Sequence, residues 1–310
     1  MEAYLDSLLY RTQEEEATFD LLAVGDCDVP AWLTEDGRLT LARYSAPETT
    51  GLGRTRVAAE VTRQYLKSGT PNAIRQITQP RWHAPGVLLG AFGFDVEVCT
   101  RASASLFDEY REAPSPVRAW LVNNAIGRAI FLADKVYTPR FGGIEVPRWA
   151  PAERIVEERI VNGDRFSPDT PPREGLFSAD KDRVLTVGRI SRRKGIDLLL
   201  DVADRLKDVA FAVVGPVGDD DLSKTVDASP NIRLHPPVDY VEMPGLYAAA
   251  DLVLSVSRLE WGGVSRAMLE GKSMGRPVVA LDRGQAASVA DEAVPPDPDV
   301  IAAAVCRQLD

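Results

Sequence analysis

The fold is decided by residues 251–281, which read DLVLSVSRLEWGGVSRAMLEGKSMGRPVVAL in a chain of 310 residues. Two apolar runs, at 252–256 and 277–281, predict buried strands, and the residues between them predict a glycine-bearing loop followed by a helix. A strand, a helix and a second strand in this order form a crossover unit whose two strands are parallel. In an open parallel sheet, ligands bind beyond the carboxyl ends of the strands. A ligand is therefore expected at the loop of residues 260–264.

The loop offers backbone N–H groups, and the helix after it offers a carboxylate. Gly262, Gly263 and Val264 stand directly before the predicted helix, where N–H groups make a site suited to an anion. Glu270 lies about one and a half turns into that helix, close enough to reach back over the same site. Because a carboxylate repels phosphate, the partner expected for Glu270 is a neutral pair of hydroxyl groups, such as those of a ribose.

Composition argues against several classes of protein. The formal net charge is −10, which argues against a nucleic-acid partner, because phosphate backbones attract an excess of Lys and Arg. No run of about 18 apolar residues occurs, so no membrane-spanning helix is expected. The first residues, MEAYLDSLLYRTQEEEA, carry acidic side chains where a secretory signal would be apolar. Three widely spaced cysteines without metal-ligand spacing favour a reducing, cytoplasmic location.

A second cluster of polar groups is expected from the segment GRISRRKG, residues 188–195, which follows a predicted buried strand at 183–187. Arg189 lies at the carboxyl end of that strand and Lys194 lies just before the next helix, so both can project into the crevice that the 260–264 loop borders. Two fixed cations and oriented N–H groups would neutralise a diphosphate, with charge-assisted contacts of about 1.5 to 3 kcal/mol each. Spacing alone also allows all the basic residues of this segment to be solvated surface charges.

Two residues of the first half are candidates for a second site. His83 follows Trp82, and an isolated histidine in this setting is more typical of packing than of a general base, although the sequence allows both. Arg101 directly follows a predicted strand at 96–100, which would place it at the carboxyl edge of a sheet, either facing a ligand or in solvent. The acidic run at 219–221 is expected to be a solvated loop, so no metal site is predicted.

Residues 158–175, ERIVNGDRFSPDTPPREG, form the predicted linker, because a strand and an Asn-Gly turn lead into a run rich in Pro, Asp and Gly. The boundary is expected near residues 166–176. A chain of this length commonly divides into two domains. We therefore expect one domain at 1–170 and another at 171–310. Strands alternate with helices, most clearly in the second domain, which predicts an α/β fold with a doubly wound parallel sheet.

Three motifs follow one another along the second half: Gly188-Arg189-Ile190 through Lys194-Gly195, Leu246 through Asp251 (LYAAAD), and Leu269-Glu270 through Ala280. Together they resemble the carboxyl-terminal domain of the retaining glycosyltransferases of family four, which have the GT-B fold. The segment Asn162-Gly163-Asp164, with Phe166 and Pro168, is similar to that family's interdomain segment, and residues 133–136 resemble the end of its amino-terminal domain.

The resemblance implies an α/β protein of the GT-B type, in which two Rossmann-like doubly wound domains face each other across a cleft. It implies a nucleotide-diphosphate sugar as co-substrate, bound mainly by the second domain, and a hydroxyl acceptor (a glycan, a lipid carrier or a small molecule) held by the first. Sugar transfer would retain the anomeric configuration and require neither a metal nor a cofactor. A lipid-linked acceptor would bring the protein to the inner face of a membrane.

The resemblance also implies roles for individual residues. Arg189 and Lys194 match the catalytic pair that contacts the diphosphate, and Glu270 matches the glutamate that holds the ribose hydroxyls. The further donor-binding positions are Gly188, Glu260, Gly262, Gly263 and Val264. His83 and Arg101 are the acceptor-side candidates.

The chain departs from the family at three places. On the acceptor side, His83 precedes the position of the histidine that some members use. The family has two glutamates with seven residues between them, yet counting back from Glu270 reaches Gly262, and Glu260 is displaced by two positions. Either the loop carries an insertion and Glu260 still holds the sugar hydroxyls, or that contact is lost. The family also opens with a strand and a Gly-Gly loop, whereas this chain begins within the equivalent of the first helix, which implies a misplaced start or a shortened first domain. The alternative function is a donor-binding or scaffolding subunit without transferase activity.

Overall fold

The structure, a computed structural model, describes residues 2–11, 17–24, 29–35, 37–46, 50–77, 80–102, 115, 117, 120–121, 124, 127–139, 146–158, 161–177, 181–258 and 264–310. The chain divides into unit 1, Met1–Ile160, and unit 2, Val161–Asp310. This division falls earlier along the chain than the 170/171 boundary expected from the linker. Within the described ranges, no helix combines the length and the apolar character that a bilayer span needs.

Unit 1 alternates helices with strands. Its described helices are α1 (Glu2–Arg11), the single turn α2 (Ala31–Thr34), α3 (Leu52–Ser68) and α4 (Pro80–Ala91). Its described strands are β1 (Phe19–Val24), β2 (Leu39–Tyr44), β3 (Ala73–Arg75), β4 (Glu97–Arg101), β5 (Lys135–Pro139) and β6 (Ile155–Glu158). Turns of 3-10 helix lie at Gly127–Leu132 and Ala152–Arg154. The strands form two parallel sheets, one of β1 and β2 and one of order β3–β4–β5–β6.

Unit 2 repeats the alternation with longer buried strands. Its strands are β7 (Asp182–Val187), β8 (Val209–Val214), β9 (Ile232–His235), β10 (Leu252–Ser255), β11 (Val278–Leu281) and β12 (Glu292–Val294). Its helices are α5 (Ile196–Arg205), α6 (Asp220–Asp227), α7 (Met243–Ala249), α8 (Arg266–Ser273) and α9 (Pro298–Leu309). Turns of 3-10 helix lie at Arg192–Lys194, Tyr240–Glu242 and Ala286–Ser288.

The six strands of unit 2 form one parallel sheet of order β12–β11–β10–β7–β8–β9. The predicted crossover of residues 251–281 is confirmed as β10, α8 and β11. All six residues of β8, VAFAVV, are buried, as a strand covered by helices on both faces requires. The predicted α/β class with a doubly wound parallel sheet is therefore confirmed.

Asp251 joins β10 to β7 at the amino ends of the two strands. Its carboxylate accepts hydrogen bonds from the guanidinium of Arg183 (2.7 and 2.9 Å) and from the backbone N–H of the same residue (2.9 Å). Burial alone would raise the pKa of Asp251, but the hydrogen bonds and charge of Arg183 outweigh it and hold the pKa below its ordinary value. The aspartate that closes the LYAAAD motif is thus structural and lies at the edge of the sheet opposite to the candidate site.

The candidate site lies where the order of the strands reverses. Strand β7 has β8 on one side and β10 on the other, so the connections that follow β7 and β10 run in opposite directions. Such a topological switch point is where open α/β sheets bind ligands. Because the strands are parallel, the loops after β7, β8 and β10 all leave from the same edge.

Candidate functional site

The loop after β7 begins with a glycine whose backbone contacts the end of β8. The N–H of Gly188, the first residue after the strand, donates to the carbonyl oxygen of Val214 at the end of β8 (2.9 Å). A β-carbon on Gly215, the first residue after β8, would lie 2.1 Å from the carbonyl oxygen of Gly188, so only glycine fits there. The ends of β7 and β8 are therefore in direct backbone contact, and glycine at position 215 permits it.

Residues 191–195 form a single turn that leads directly into α5. The hydroxyl of Ser191 accepts a weak hydrogen bond from the N–H of Lys194 (3.4 Å). Gly195 has a φ of +72°, and a β-carbon on it would lie 1.9 Å from the carbonyl oxygen of Val256, the first residue after β10. The loops that follow β7 and β10 are therefore in direct backbone contact, and glycine at position 195 permits it.

Both predicted cations extend over these loops. The side chain of Arg189 is exposed and runs across Gly218, where a β-carbon would lie 2.7 Å from its Cδ. The half-buried side chain of Lys194 lies over Gly188, with Cδ and Cε each 3.9 Å from the position of a β-carbon there. Two cations at one sheet edge suit an anion with more than one negative charge.

Arg258 clamps the turn that carries Lys194. Its N–H donates to the carbonyl oxygen of Arg193 (3.1 Å), and its guanidinium donates to the carbonyl oxygen of Arg192 (2.6 Å) and pairs with Asp197. Burial alone would raise the pKa of Asp197, but the hydrogen bond and charge of Arg258 outweigh it and hold the pKa below its ordinary value. Arg258, in the loop after β10, thus contacts both the backbone of the 3-10 turn and the first turn of α5.

Glu270 lies on α8, which follows the same β10 loop, and its carboxylate is buried. The residue is 2% exposed. Its Oε2 accepts a hydrogen bond from the hydroxyl of Tyr247 (2.7 Å), and its Oε1 lies 3.8 Å from the guanidinium of Arg266, one turn earlier on α8. The carboxylate is therefore held in one position by a donor on α7 and a cation on its own helix.

The tyrosine beside Glu270 is held in an aromatic cluster. Phe166 packs edge-on against Tyr247, with ring centroids 6.0 Å apart, and at a tilt of 54° against Tyr240, with ring centroids 5.6 Å apart. Burial, with the neighbouring charge of Glu270, raises the pKa of Tyr247 well above 10. Phe166, which the sequence places in the linker, is a buried residue of unit 2 that supports the Glu270 site.

The acidic run at 219–221 was predicted to be a solvated loop, and this prediction is wrong, because the run forms the cap and first turn of α6. Asp219 is the cap of α6, and its carboxylate accepts a hydrogen bond from the N–H of Leu222 (3.0 Å). Asp220 and Asp221 lie in the first turn of the helix, where the helix dipole favours negative charge.

Other predicted site residues lie in several places. Val264 is buried directly ahead of α8, whereas Glu260, Gly262 and Gly263 lie outside the described residues. Arg101 is the last residue of β4, and its N–H donates to the side chain of Gln76 (3.1 Å). His83 lies in the first turns of α4 and lines a cavity within unit 1. The roles assigned to these residues stay predictions.

Four residues of the site were not predicted from the sequence. Arg266 lies four positions before Glu270, a helical spacing that could have identified it, and Tyr247 lies inside the LYAAAD motif. Arg258 and Asp197 are 61 residues apart and carry no sequence signal that joins them.

Residues 181–310 match the family described as Glycosyl transferases group 1. The chain is 27% identical over 192 residues to the alpha-D-kanosaminyltransferase of Streptomyces kanamyceticus, across 56% of this chain and 48% of the relative. It is 32% identical over 146 residues to the D-inositol 3-phosphate glycosyltransferase of Mycobacteroides abscessus, across 43% of this chain and 32% of the relative. The matches thus span less than half the length of either relative.

Solved structures share the fold at low sequence identity. A glycosyltransferase from Rickettsia africae covers 99% of this chain with a TM-score of 0.70 at 16% identity, over 83% of its own length. Anabaena HepE in complex with UDP and glucose covers 100% with a TM-score of 0.70 at 17% identity, over 86% of its length. Sucrose-phosphate synthase from Thermosynechococcus elongatus covers 98% with a TM-score of 0.74 at 19% identity, over 82% of its length. The predicted resemblance to the GT-B glycosyltransferases is confirmed.

Proposed function

We propose that the chain is a retaining glycosyltransferase that moves a sugar from a nucleotide-diphosphate sugar to a hydroxyl acceptor. The observation that carries this proposal is the placement of Arg189 and Lys194 over bare backbone at the switch point of the sheet in unit 2. The group 1 family match covers this unit, and the fold is shared with a protein that binds UDP and glucose.

In the proposed reaction, the diphosphate is the leaving group. The bond between the anomeric carbon and the diphosphate oxygen breaks while the acceptor oxygen bonds to the same face of the anomeric carbon. The acceptor's proton passes to a diphosphate oxygen. Arg189 and Lys194 stabilise the negative charge that grows on the departing diphosphate, and contacts that strengthen in this way lower the barrier.

Glu270 is proposed to accept hydrogen bonds from the ribose of the donor. The role comes from the family resemblance, and the contacts of Tyr247 and Arg266 supply what such a role needs, a carboxylate whose position is fixed. The proposed reaction includes no metal ion or cofactor, because Arg189 and Lys194 supply the positive charge that a divalent ion would otherwise bring.

The acceptor is proposed to bind unit 1, with His83 and Arg101 as the candidate contacts. A glycan, a small molecule and a lipid-linked acceptor all satisfy the proposed chemistry, and a lipid-linked acceptor would add contact with the inner face of a membrane to a cytoplasmic protein.

A second candidate function is donor binding without transfer. The displacement of Glu260 by two positions favours it, because a sugar contact could be lost while the diphosphate contacts of Arg189 and Lys194 are kept. Binding of donor without turnover on any acceptor would distinguish it.

A thermal-shift screen of nucleoside diphosphates and nucleotide sugars tests the proposal. A ligand present at about 100 times its Kd should stabilise the folded chain by about 2.7 kcal/mol. The shift should be lost in Arg189→Ala and Lys194→Ala and kept in Lys181→Ala, because Lys181 lies just before β7, at the opposite end of the strand. Equal shifts in all three variants would remove the assignment of the site.

A further inference from the structure

The predicted linker contains a turn that fixes the position of Phe166. The side-chain oxygen of Asn162 accepts hydrogen bonds from the N–H groups of Asp164 (3.0 Å) and Arg165 (3.2 Å). The carbonyl oxygen of Asn162 accepts a further hydrogen bond from the N–H of Phe166 (3.0 Å), and both residues are buried. The Asn-Gly motif of the sequence therefore places one aromatic ring at a defined position inside unit 2.

The ring of Phe166 packs on two tyrosines that belong to different elements. Tyr247 lies on α7, and its ring is inclined at 63° to that of Phe166. Tyr240 lies in the 3-10 turn before α7, and its ring is inclined at 54° to that of Phe166. All three rings are buried. Because a protein interior is close-packed, a change in the volume of the Phe166 side chain is felt by both tyrosines.

The hydroxyl groups of the two tyrosines lead to the two oxygens of Glu270. The Tyr247 hydroxyl donates directly to Oε2 (2.7 Å). The Tyr240 hydroxyl accepts a hydrogen bond from the guanidinium of Arg266 (3.4 Å). The same guanidinium nitrogen lies 3.8 Å from Oε1 of Glu270. Both oxygens of the carboxylate are thus linked to the ring of Phe166, one through Tyr247 and the other through Tyr240 and Arg266.

A carboxylate binds a pair of hydroxyl groups only when its plane has the right orientation. The groups of a binding site must lie within about 0.5 Å and about 10 to 20° of the productive geometry, and the side chains around them supply that precision. A contact at one oxygen leaves the carboxylate free to rotate about it, whereas contacts at both oxygens fix its plane. Because Phe166 packs on both tyrosines, its ring acts on both of these contacts.

We propose that Phe166 is a positioning residue for the donor, which orients the Glu270 carboxylate toward the ribose hydroxyls through its contacts with Tyr247 and Tyr240. The inference rests on the proposed function, in which Glu270 accepts hydrogen bonds from the ribose. The Phe166 side chain carries no polar atom, so it acts on the donor only through packing. Loss of its ring therefore weakens the part of the donor affinity that comes from the ribose hydroxyls and leaves the diphosphate contacts unchanged.

The test uses isothermal titration calorimetry of the full chain with UDP, GDP and ADP. The nucleotide that binds most tightly is compared with its dideoxy analogue, which lacks both ribose hydroxyls. In the parent chain the analogue should bind about tenfold or more weakly, because hydrogen bonds to a charged group contribute strongly to affinity. In Phe166→Leu the two nucleotides should differ by about threefold or less, and the analogue should bind as it does to the parent chain.

Phe211→Leu is the matched control. Phe211 has the same exposure as Phe166, 1%, and lies in unit 2, but it belongs to β8 and to the core beneath the sheet. The control should lose a similar amount of stability and keep the parent's difference between the two nucleotides. Phe166→Met, which conserves more of the side-chain volume, provides the same comparison if Phe166→Leu does not fold.

A parent-like difference between the two nucleotides in both Phe166 variants would overturn the inference and leave the proposed function standing. Equal weakening of both nucleotides would also overturn it, because a purely structural residue has that effect. Equal affinity of the parent chain for the nucleotide and its analogue would show that Glu270 does not hold the ribose, and would overturn the inference while the diphosphate contacts stand. If UDP, GDP and ADP all fail to bind the parent chain, the proposed function is overturned and the inference with it.

Discussion

The carboxylate of Glu270 and the hydroxyl of Tyr247 form a buried hydrogen bond of 2.7 Å between α8 and α7. Tyr247 is fully buried, and Glu270 is 2% exposed. The bond fixes the one acidic group that the family resemblance assigns to the donor, and it is formed between residues 23 positions apart in the chain.

Tyr247→Phe should lower the free energy of unfolding of unit 2 by about 1 to 3 kcal/mol, because the substitution removes the donor from a buried carboxylate oxygen. Urea unfolding followed by circular dichroism measures the change. Tyr240→Phe is the matched control, since the Tyr240 hydroxyl has a longer contact of 3.4 Å with Arg266 and should cost less. Equal costs for the two substitutions would contradict the assigned bond.

Stability should also fall at alkaline pH because of Tyr247. Its pKa is raised on folding, so above about pH 10 the unfolded chain loses the proton while the folded chain keeps it. The contribution is fully present below about pH 10, and it is lost by up to about 1.4 kcal/mol per pH unit as the pH rises towards the folded pKa. Unfolding measured at about pH 9 and about pH 11 should show a smaller fall in Tyr247→Phe than in the parent chain. A fall of the same size would exclude Tyr247 as its source.

Gly195→Ala should destabilise unit 2 by about 3 kcal/mol, because the methyl group would collide with the carbonyl of Val256. Gly175→Ala is a close control: its φ is +73° against +72° at Gly195, but nothing lies within 4 Å of its added β-carbon. The control should show only the backbone strain, of about 1 kcal/mol. Differential scanning calorimetry of the two variants measures the loss of stability in each and so separates backbone strain from steric collision. Similar losses in both variants would disprove the backbone contact between the loops after β7 and β10.

Arg258→Met should weaken the binding of a nucleoside diphosphate about tenfold, because it releases the turn that positions Lys194. Arg258→Lys should restore only part of the affinity, since an ammonium lacks the planar fork that reaches both the Arg192 carbonyl and Asp197. Isothermal titration calorimetry gives the affinities. Parent-like affinity in Arg258→Met would show that the clamp does not act on the site.

Arg189→Ala and Lys194→Ala should each lower kcat by a factor of about 100 to 1000 once an acceptor is found, because the charge on the leaving diphosphate loses a partner. Their melting temperatures should stay near that of the parent, as expected for charges at the surface of a site. Release of nucleoside diphosphate in stopped time courses provides the rates, with Lys181→Ala as the control for loss of one cation. Parent-like rates in both variants would refute the catalytic role.

The sequence by itself determined the fold class and the edge of the sheet at which the candidate site lies. Apolar runs at 252–256 and 277–281 predicted buried strands, and the segment 188–195 follows the predicted strand at 183–187 and carries Arg189 and Lys194. The spacing of apolar residues predicts the strands and helices. Their order along the chain predicts which of them pack together in a crossover unit. The sequence alone therefore predicts Arg189 and Lys194 as residues of the site.

The tertiary structure alone decided which distant residues act on that site. Arg258 meets the 192–194 turn, and Tyr247 meets Glu270, because parallel strands bring the loops after β7 and β10 to one edge and set α7 beside α8. It also showed that Phe166 is buried in unit 2 and that the described strands of unit 1 form two sheets. Contacts of this kind depend on strand order in space, which no local pattern of residues encodes.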